Sequence, residues 1–427
     1  MRRRLASALL LTVLAVLTSA GCSAAEAGPR AGAKGSDATA GPDAAAFKPF
    51  GERLVDQRLA MYPRLVRLRD GRIILSVASA TGSGVTDVAR FYESTDGGRT
   101  FRTLSEILDP AAAHGRGACC GSMFELPHRI GAQPAGTLLW AGTVGMKNGA
   151  PERRPELRVW RSMDGGRHWS YLSSCTIAPE GTPSDKGLWE PELAVDGQGR
   201  LVCYYSDETR PGHDQVIVEA ASPDGGVTWG PGTVIVASGR HDRPGMPVVR
   251  KLPGGTYLMV YEVCGPAASC KVHYRRSADG WTWGDPADRG TVARTADGHN
   301  LLHAPTVAWV PGGGPRGTVL LVGGVVRDAK SRLVRPASGA TLFANTANGS
   351  GVWREVLAPV RVPFPAHPEH DDIVCGNYSS SLLSVSDGKG LLEAATKRDG
   401  DGTCRVYVAA SASVPGPPAD AADLTKE

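Results

Sequence analysis

The chain has 427 residues, of which 41% are hydrophobic and 21% charged, so it is long enough for one large globular domain or two ordinary ones. The formal net charge of +4 is small and spread along the chain, which excludes a strongly basic surface as an argument for nucleic-acid binding. The 54 glycines and 31 prolines stand between short apolar runs and indicate many short strands and tight turns rather than long helices.

The first 22 residues have the pattern of an export signal. "MRRR" supplies positive charge, and residues 5–17, "LASALLLTVLAVL", form an apolar run that is too short to favour a membrane span in the mature protein. Cys22 follows small residues in "TSAGC" and resembles a bacterial lipoprotein processing site, although Ser19 stands where that pattern prefers Leu. We therefore expect residues 1–22 to be a signal peptide with lipidation at Cys22, and ordinary signal cleavage is the alternative.

The rest of the chain divides into three parts. Residues 23–46 are rich in Ala, Gly, Asp and Pro without periodicity, which is typical of a disordered tether. Residues 47–415 carry the strand patterns of a single predicted domain, and residues 416–427 form a short C-terminal tail. We expect an extracellular protein that meets a membrane only through the lipid anchor, on the outer face of the cell membrane, or that is otherwise secreted.

One short phrase recurs along the predicted domain. It reads "STDGGRTF" at 94–101, "SMDGGRHW" at 162–169, "SPDGGVTW" at 222–229 and "SADGWTW" at 277–283, with a weaker copy, "NTANGSGVW", at 345–353. Its glycines permit positive φ, and its Asp and Ser or Thr side chains can bond the backbone N–H groups of a turn, as in the Asp box motif. The terminal aromatic residue can pack between neighbouring sheets. We interpret the phrase as a structural turn, and a cation or sugar site at the turn is the alternative.

Six hairpin patterns accompany the phrases, each with two apolar strands joined by a turn. They lie at 62–77, 121–144, 189–208, 243–262, 303–325 and 377–396. Each of the first four is followed by a third strand, the phrase and a fourth strand, and such repeated four-stranded units are typical of a propeller. The sequence therefore predicts an all-β fold, a six-bladed β-propeller, whose sixth blade is completed by an N-terminal strand near residues 52–60.

Strand order separates two faces of the predicted disc. With strands A to D antiparallel and A innermost, the phrases lie on one face, whereas the starts of A and the ends of B lie on the other. Charged and aromatic residues concentrate at those starts and ends, namely Arg64, Trp189, Glu190, Asp207, Arg243, Glu262, His303 and Tyr378. Glu190 and Glu262, on adjacent blades, form a candidate carboxylate pair of the kind that cleavage of a glycosidic bond requires. For either glutamate alone, a solvated strand end is the alternative.

At these residues the sequence resembles a known family. Asp boxes on a six-bladed propeller are similar to the sialidase superfamily. Three longer blocks resemble glycoside hydrolase family 93: "LPHRIGAQPAGTLLWAG" (126–142), "WEPELAVDGQGRLVCYYSDE" (189–208) and "DRPGMPVVRKLPGGTYLMVYE" (242–262). The resemblance covers about residues 50–325. It implies a retaining, exo-acting α-L-1,5-arabinanase that releases arabinobiose from the end of a polysaccharide or oligosaccharide substrate.

The resemblance also implies roles for individual residues. It places the two catalytic glutamates at Glu190 and Glu262, with Glu190 as general acid/base and Glu262 as nucleophile, although the sequence leaves that order open. Retention would put the two carboxyl groups roughly 5–5.5 Å apart. The residues expected to bind the sugar are Arg64, Trp189, Arg243, His303 and Tyr378, with Asp207 as a reserve carboxylate. Structural salt bridges are the alternative for the two arginines, and packing at the channel mouth is the alternative for His303 and Tyr378. This mechanism requires no cofactor or metal ion, and no Cys/His spacing in the sequence resembles a zinc site.

Eight cysteines remain when Cys22 is set aside, and an even number in an exported chain favours disulfide bonds. The candidate pairs are Cys264–Cys270 across one loop, Cys375–Cys404 across a hairpin, and the adjacent Cys119–Cys120. The vicinal pair, the Cys264–Cys270 loop and the segment "HPEHDDIVCGNY" (367–378) depart from the family's pattern, and we expect them to reshape the rim of the pocket.

Two other functions remain open at this point. A sialidase needs three arginines for the sialic carboxylate, and Arg64 and Arg243 could supply two of them, but no third stands out at an A start. "YPRL" also reverses the order of Arg and Pro that is usual in the first blade of a sialidase. A non-catalytic propeller that binds glycans would need neither glutamate.

Overall fold

The computed structural model is built almost entirely from β-strands. The predicted signal peptide with Cys22, the tether and the C-terminal tail lie outside the described part of the chain. That part contains 26 strands and two short 3-10 turns, and it holds no helix that is both long enough and apolar enough to cross a membrane. The structure describes residues 47–82, 86–147, 149–150, 152–363 and 375–415.

The strands form six antiparallel sheets, which we number as blades 1 to 6 in chain order. The first strand, β1 (Phe50–Leu54), belongs to blade 6. Blade 1 consists of β2 (Met61–Arg67), β3 (Ile73–Ser79), β4 (Val88–Ser94) and β5 (Arg102–Ile107). Blade 2 consists of β6 (Ala118–Glu125), β7 (Leu138–Val144), β8 (Glu156–Ser162) and β9 (Ser170–Ile177). Blade 3 consists of β10 (Leu188–Val195), β11 (Leu201–Asp207), β12 (Val216–Ser222) and β13 (Thr233–Val236).

The second half of the ring is less regular. Blade 4 is extended to six strands, β14 (Arg243–Lys251), β15 (Tyr257–Cys264), β16 (Lys271–Ser277), β17 (Thr291–Val292), β18 (Asn300–Leu302) and β21 (Val325–Arg327). Blade 5 consists of β19 (Thr306–Val310), β20 (Thr318–Val322), β22 (Thr341–Asn345) and β23 (Arg354–Leu357). Blade 6 consists of β24 (Ser381–Val385), β25 (Gly390–Arg398), β26 (Cys404–Ala412) and β1.

The innermost strands of the six blades meet in a closed circuit. β2 contacts β6, and the contacts continue through β10, β14, β19 and β24 back to β2. The ring is closed by β1, which pairs with β26 as the outermost strand of blade 6. Beyond β1 the chain stays on that strand, because Val55 and Ala60 donate their N–H groups to Val406 and Cys404 at 3.0 and 2.9 Å. The predicted six-bladed propeller is thus confirmed, with the closing strand at residues 50–54.

Six apolar clusters hold the ring together, one at each boundary between successive blades. At the junction of blades 6 and 1, for example, Leu392 packs with Leu75, and both are fully buried. Since the second strand of a blade is covered on both faces, β3 and β11 are buried along their whole length. Each Leu buried in this way contributes about 1.5–3 kcal/mol to the free energy of unfolding. Packing between blades therefore stabilises the ring and fixes the inner ends of the strands.

The recurring phrases form hydrogen-bonded turns between the third and fourth strands. In blade 3, Asp224 accepts the N–H groups of Val227 and Thr228 at 3.1 and 2.9 Å and the Thr228 hydroxyl at 2.6 Å. Ser222 accepts the N–H of Gly226 at 2.7 Å. The same pattern recurs around Asp96, Asp164 and Asp279. These carboxylates are therefore occupied by their own turn, as the structural interpretation of the phrase requires.

The aromatic residue that ends the phrase reaches the preceding blade. The Trp229 indole N–H donates to the Ser173 hydroxyl of blade 2 at 2.9 Å, and Trp169 donates to Ser105 of blade 1 at 3.0 Å. Trp169 also stacks on Phe91 with ring centroids 4.5 Å apart. The phrases thus join neighbouring blades on one face of the ring.

Four disulfide bonds are present among the described residues. Three of them, Cys119–Cys120, Cys264–Cys270 and Cys375–Cys404, are the candidate pairs of the sequence. The fourth, Cys175–Cys203, joins β9 of blade 2 to β11 of blade 3 within their shared apolar cluster.

We expect Asp224→Ala to lower the free energy of unfolding by about 1–2 kcal/mol, because it leaves two turn N–H groups and the hydroxyls of Ser222 and Thr228 without their acceptor. The pKa of Asp224 is lowered, and the hydrogen bonds of the turn oppose its burial. This contribution is therefore present above the pKa of the carboxyl in the unfolded chain and is lost as the pH falls through the folded value.

Urea unfolding of the wild type and the variant at neutral pH and near pH 3 measures both effects. Glu180→Ala, at an exposed loop position, is the control. An equal loss of stability at the two pH values would contradict the role given to the ionised carboxylate.

Candidate active site

The innermost strand of blade 3 begins with a break in regular pairing. The register passes from Trp189 opposite Ser206 to Glu192 opposite Tyr204, so the strand accommodates one extra residue as a β-bulge. Glu190 lies in this bulge with φ of 50°, a left-handed conformation that residues other than glycine rarely adopt. Such strain costs about 1–3 kcal/mol and persists only where the surrounding structure enforces it.

The same left-handed position recurs at the start of the innermost strand in all six blades. Proline follows at positions 63, 191, 247 and 305, since a bulge tolerates a residue that has no N–H to donate. The residues at the left-handed position are Tyr62, Cys120, Glu190, Met246, Ala304 and Ser379, with φ between 46° and 59°. Four of these six, all except Glu190 and Ser379, pack in one small cluster together with Tyr378. The register slips into a β-bulge at this position in blades 1 to 4, and the cluster gathers the left-handed residues of blades 1, 2, 4 and 5 at the centre of the ring.

The end of the second strand supplies an acceptor for the left-handed residue of the next blade. The Ser206 hydroxyl, on β11, accepts the N–H of Met246 at 3.0 Å. The Glu262 carboxylate, on β15, accepts the N–H of Ala304 at 2.9 Å. Ser206 and Glu262 occupy equivalent positions in the hairpins of blades 3 and 4. Glu262 is thus held at the centre by the same contact that locks neighbouring blades together.

Glu190 lies in surroundings that favour its protonated form. Its Oε2 accepts a hydrogen bond from the Ser206 hydroxyl at 2.8 Å. Burial raises the pKa of Glu190 to about 8; the Ser206 hydrogen bond and Arg64 act in the lowering direction, and the nearby Glu262 and Glu208 carboxylates add to the rise. A carboxyl group of this kind keeps its proton near neutral pH and can act as a general acid.

Glu262 faces donors instead. In addition to the N–H of Ala304, the His303 ring places Nδ1 at 3.7 Å from Oε2. The Glu262 side chain is 14% exposed and can therefore meet a bound ligand. Burial, followed by the charges of Glu190 and Glu262, raises the pKa of Tyr378 well above its ordinary value. The Tyr378 hydroxyl thus stays protonated beside both carboxylates and can donate a hydrogen bond.

A pocket of about 850 Å³ opens over this centre. Its wall contains aromatic rings, sulfur atoms and the Glu190 carboxyl. The lining residues nearest the bulges are Tyr62, Cys119, Cys120, Trp189, Glu190 and Tyr378, and the Cys375–Cys404 disulfide lines another side. The volume falls within the range of about 300–1,000 Å³ that is usual for small-molecule sites.

Arg64 lies beneath the pocket rather than in it. Its guanidinium is buried, donates to the Ser379 carbonyl at 2.9 Å and hydroxyl at 2.8 Å, and lies 4.1 Å from the centre of the Tyr62 ring. Arg64 therefore joins the bulges of blades 1 and 6. It acts on Glu190 through its charge, which favours ionisation of that carboxyl.

Trp189 and Arg243 share a carboxylate partner. The Trp189 indole N–H donates to Glu208 Oε2 at 2.8 Å, and Arg243 forms an ion pair with Glu208 Oε1. Arg243 also donates to the Gln215 side chain at 2.9 Å, and its side chain remains 39% exposed. Glu208 therefore fixes the Trp189 ring at the edge of the pocket.

Asp207 is not part of this arrangement. Its carboxylate accepts the N–H and hydroxyl of Thr209 at 2.8 and 2.7 Å and pairs with Arg210 at 2.8 Å. Successive side chains of a strand point to opposite faces, so Asp207 turns away when its neighbour Ser206 turns toward Glu190. The expected role of Asp207 in sugar binding has no support from these contacts.

Ser206 and Glu208 contact Glu190 and Trp189, although neither was predicted as a site residue from the sequence. Both flank Asp207 in "YYSDE", and strand alternation offered a signal, because residues 206 and 208 share a face. The Pro that follows the left-handed residue in four of the six blades was a second signal, because it marks the point in each innermost strand where regular pairing is interrupted.

One group of potential metal ligands occurs among the described residues. Atoms of Cys264, Cys270 and His303 lie within 4.8 Å of one another, but the two cysteines are joined in a disulfide bond. His303 donates its backbone N–H to the carbonyl of Cys270 at 3.0 Å. These three residues therefore form a disulfide-closed loop that holds His303 beside Glu262, and the two sulfur atoms are not free thiolate ligands.

Comparison with known proteins identifies similar solved structures. No family model matches the chain, and no curated protein matches it by sequence. The structure of an α-L-arabinanase of Penicillium chrysogenum with arabinobiose matches at a TM-score of 0.69 and 26% identity, over 86% of this chain and 99% of that one. A glycoside hydrolase family 93 α-L-arabinofuranosidase of Fusarium graminearum with arabinobiose matches at a TM-score of 0.66 and 24% identity, over 85% and 98% of the chains.

A structure of the α-L-arabinofuranosidase of Fusarium graminearum with an iminosugar inhibitor matches at a TM-score of 0.66 and 24% identity, over 86% of this chain and 98% of that one. The matched regions contain nearly the whole of the other chains and most of this chain. The predicted resemblance to glycoside hydrolase family 93 is thereby confirmed, and with it the prediction that this chain is a glycoside hydrolase built on a six-bladed propeller.

Proposed function

We propose that the protein is a retaining exo-α-L-1,5-arabinanase that releases arabinobiose from the ends of arabinan chains. The observation that carries the proposal is the carboxylate pair: Glu190 lines the pocket, and Glu262 on the adjacent blade is close enough for its charge to raise the pKa of Glu190. The similarity to solved arabinan-degrading enzymes supports the substrate class.

The two carboxyl groups suit the two steps of a retaining reaction. In the first step, Glu262 attacks the anomeric carbon while Glu190 transfers its proton to the departing glycosidic oxygen, so the glycosidic bond breaks as a glycosyl–Glu262 ester forms. In the second step, Glu190 takes a proton from water, which attacks the anomeric carbon and releases Glu262. The raised pKa of Glu190 supports its role as acid, and the hydrogen bond from the Ala304 N–H holds the Glu262 carboxyl group in position for its role as nucleophile.

The pocket suits the end of a sugar chain. The small cluster at the centre of the ring, which includes Tyr62 and Tyr378 and which we call the axial cluster, closes the floor of the pocket. Trp189 offers a ring on which a furanose can lie. A closed floor favours entry of a chain end over passage of a continuous chain, which supports exo action. We expect the Tyr378 hydroxyl, which lines the pocket, to hydrogen-bond the sugar, whereas His303 lies beside Glu262 and is not one of the lining residues.

The location is part of the proposal. We infer that the enzyme works outside the cell, either secreted or held on the outer face of the membrane through a lipid on Cys22. The amino-terminal pattern supports export, and four disulfide bonds support an oxidising compartment.

The contacts of the arginines do not favour a sialidase. Arg64 is occupied by Ser379, and Arg243 is occupied by Glu208 and Gln215. A sialic acid carboxylate would have to displace these partners.

We expect Glu190→Gln and Glu262→Gln each to lower kcat on linear α-1,5-arabinan by about 10³-fold or more, because each removes a group that reacts. Analysis of products over time measures the loss, and wild type should release arabinobiose. Proton NMR of the first product should show the anomeric configuration of the substrate.

The two variants should differ on an arabinobioside of para-nitrophenol. Its leaving group needs little protonation, so Glu190→Gln should form the glycosyl ester readily, whereas Glu262→Gln should stay inactive. Glu93→Gln, at an ion pair with Arg72 on the phrase side of blade 1, is the control. Release of sialic acid from a fluorogenic glycoside, with no product from arabinan, would refute the proposal.

We expect kcat/KM to fall as the pH rises through about 8, since Glu190 must carry its proton in the first step and its pKa is raised to about 8. A pH profile of kcat/KM on an arabino-oligosaccharide measures this limb. A limb that is unchanged in an active Glu190 variant would show that another group titrates.

Ser206→Ala should move the alkaline limb upward by up to about 1 pH unit. The hydroxyl donates to the Glu190 carboxylate and lowers its pKa, so its loss raises the pKa further. Ser105→Ala, which alters a hydroxyl between blades 1 and 2, is the control for a general loss of packing. A downward shift of the limb would contradict the assigned direction of this hydrogen bond.

A further inference from the structure

The adjacent cysteines Cys119 and Cys120 stand at a position of the ring that the proposed mechanism leaves unused. In blade 2 the register passes from Cys119 opposite Thr143 to Ser122 opposite Ala141, the same slip as in blade 3. Cys119 therefore corresponds to Trp189, and Cys120 corresponds to Glu190. Two neighbouring blades thus present a disulfide and a Trp–Glu pair at the same level.

Both cysteines face the pocket. They line it together with Trp189, Glu190 and Tyr378, and each is partly exposed. On their inner side they pack against the axial cluster that contains Tyr62. The disulfide therefore forms part of the pocket wall: one side packs against the axial cluster, and the other side is accessible to a ligand.

The chemistry of this wall suits a particular part of a sugar. A disulfide has no S–H group to donate and is polarisable, so it offers dispersion contacts rather than hydrogen bonds. Closing a ring between adjacent residues also removes the free rotation of two thiol side chains. Such a surface fits the C–H face of a furanose and leaves its hydroxyl groups to the polar side of the pocket.

We propose that the Cys119–Cys120 disulfide is the apolar wall of the sugar subsite beside Glu190, against which a furanose ring packs through its C–H face. This inference rests on the proposed arabinan-degrading activity and adds a residue pair that sets its substrate affinity. The glutamates do not depend on the disulfide for their hydrogen bonds, so the contact acts on binding rather than on chemistry.

The test compares two variants that lack the disulfide. Cys119→Ser/Cys120→Ser retains the size of the side chains, and Cys119→Ala/Cys120→Gly places at 120 a residue that accepts positive φ without strain. In both variants, KM for a linear arabino-oligosaccharide should rise roughly 3- to 10-fold, while kcat should stay within about twofold. Cys175→Ser/Cys203→Ser removes a disulfide of the core cluster of blades 2 and 3, and it should lower Tm without changing KM.

The outcomes separate this inference from the proposed function. If the wild type degrades arabinan and both vicinal variants keep its KM, the inference is wrong and the function stands. If the wild type degrades no arabinan, the function is wrong. Calorimetric titration of the same oligosaccharide into Glu262→Gln, with and without the vicinal disulfide, then decides the inference. Weaker binding without the disulfide supports it, and equal or absent binding overturns it.

Discussion

The left-handed residue near the start of each innermost strand, which lies in a β-bulge in blades 1 to 4, is the constraint on which the site depends. Ser206 and Glu262 accept the N–H of this residue in the next blade. A bulge of this kind is strained. It is maintained because six apolar clusters fix the blades on either side. The rigidity of the ring and the position of the carboxyl groups therefore have one cause.

That arrangement also gives the two glutamates different surroundings. Glu190 sits in the bulge, where burial dominates and its pKa rises to about 8. Glu262 sits on the neighbouring second strand, where it meets a backbone N–H and His303. Two identical side chains become a candidate acid and a candidate nucleophile because one occupies a bulge and the other accepts a hydrogen bond from the left-handed residue of the next blade.

The repeated features of the fold could be predicted from the sequence without knowledge of side-chain packing. The six hairpins and four good phrases predicted the blades, because each blade repeats a local pattern of strands and turns. Glu190 and Glu262 were predictable since antiparallel order assigns strand starts and ends to one face. The partners of the glutamates were not predictable in this way: Ser206 contacts Glu190 only through the bulge, and Cys175 meets Cys203 only where two blades pack.

The sequence by itself determined the propeller and the face to which Glu190 and Glu262 belong, and it offered three of the four disulfide pairs as candidates, because these follow from the order and spacing of strands along the chain. Only the tertiary structure decided which side chains reach the pocket. In the folded protein the Asp207 carboxylate accepts hydrogen bonds from the loop that follows it, and Arg64 donates to Ser379. The Cys119–Cys120 disulfide and Glu190 line the same pocket. The physical reason is that the position of a residue along its strand fixes the face on which it lies. Contacts between blades fix its burial, its hydrogen-bond partners and its protonation state.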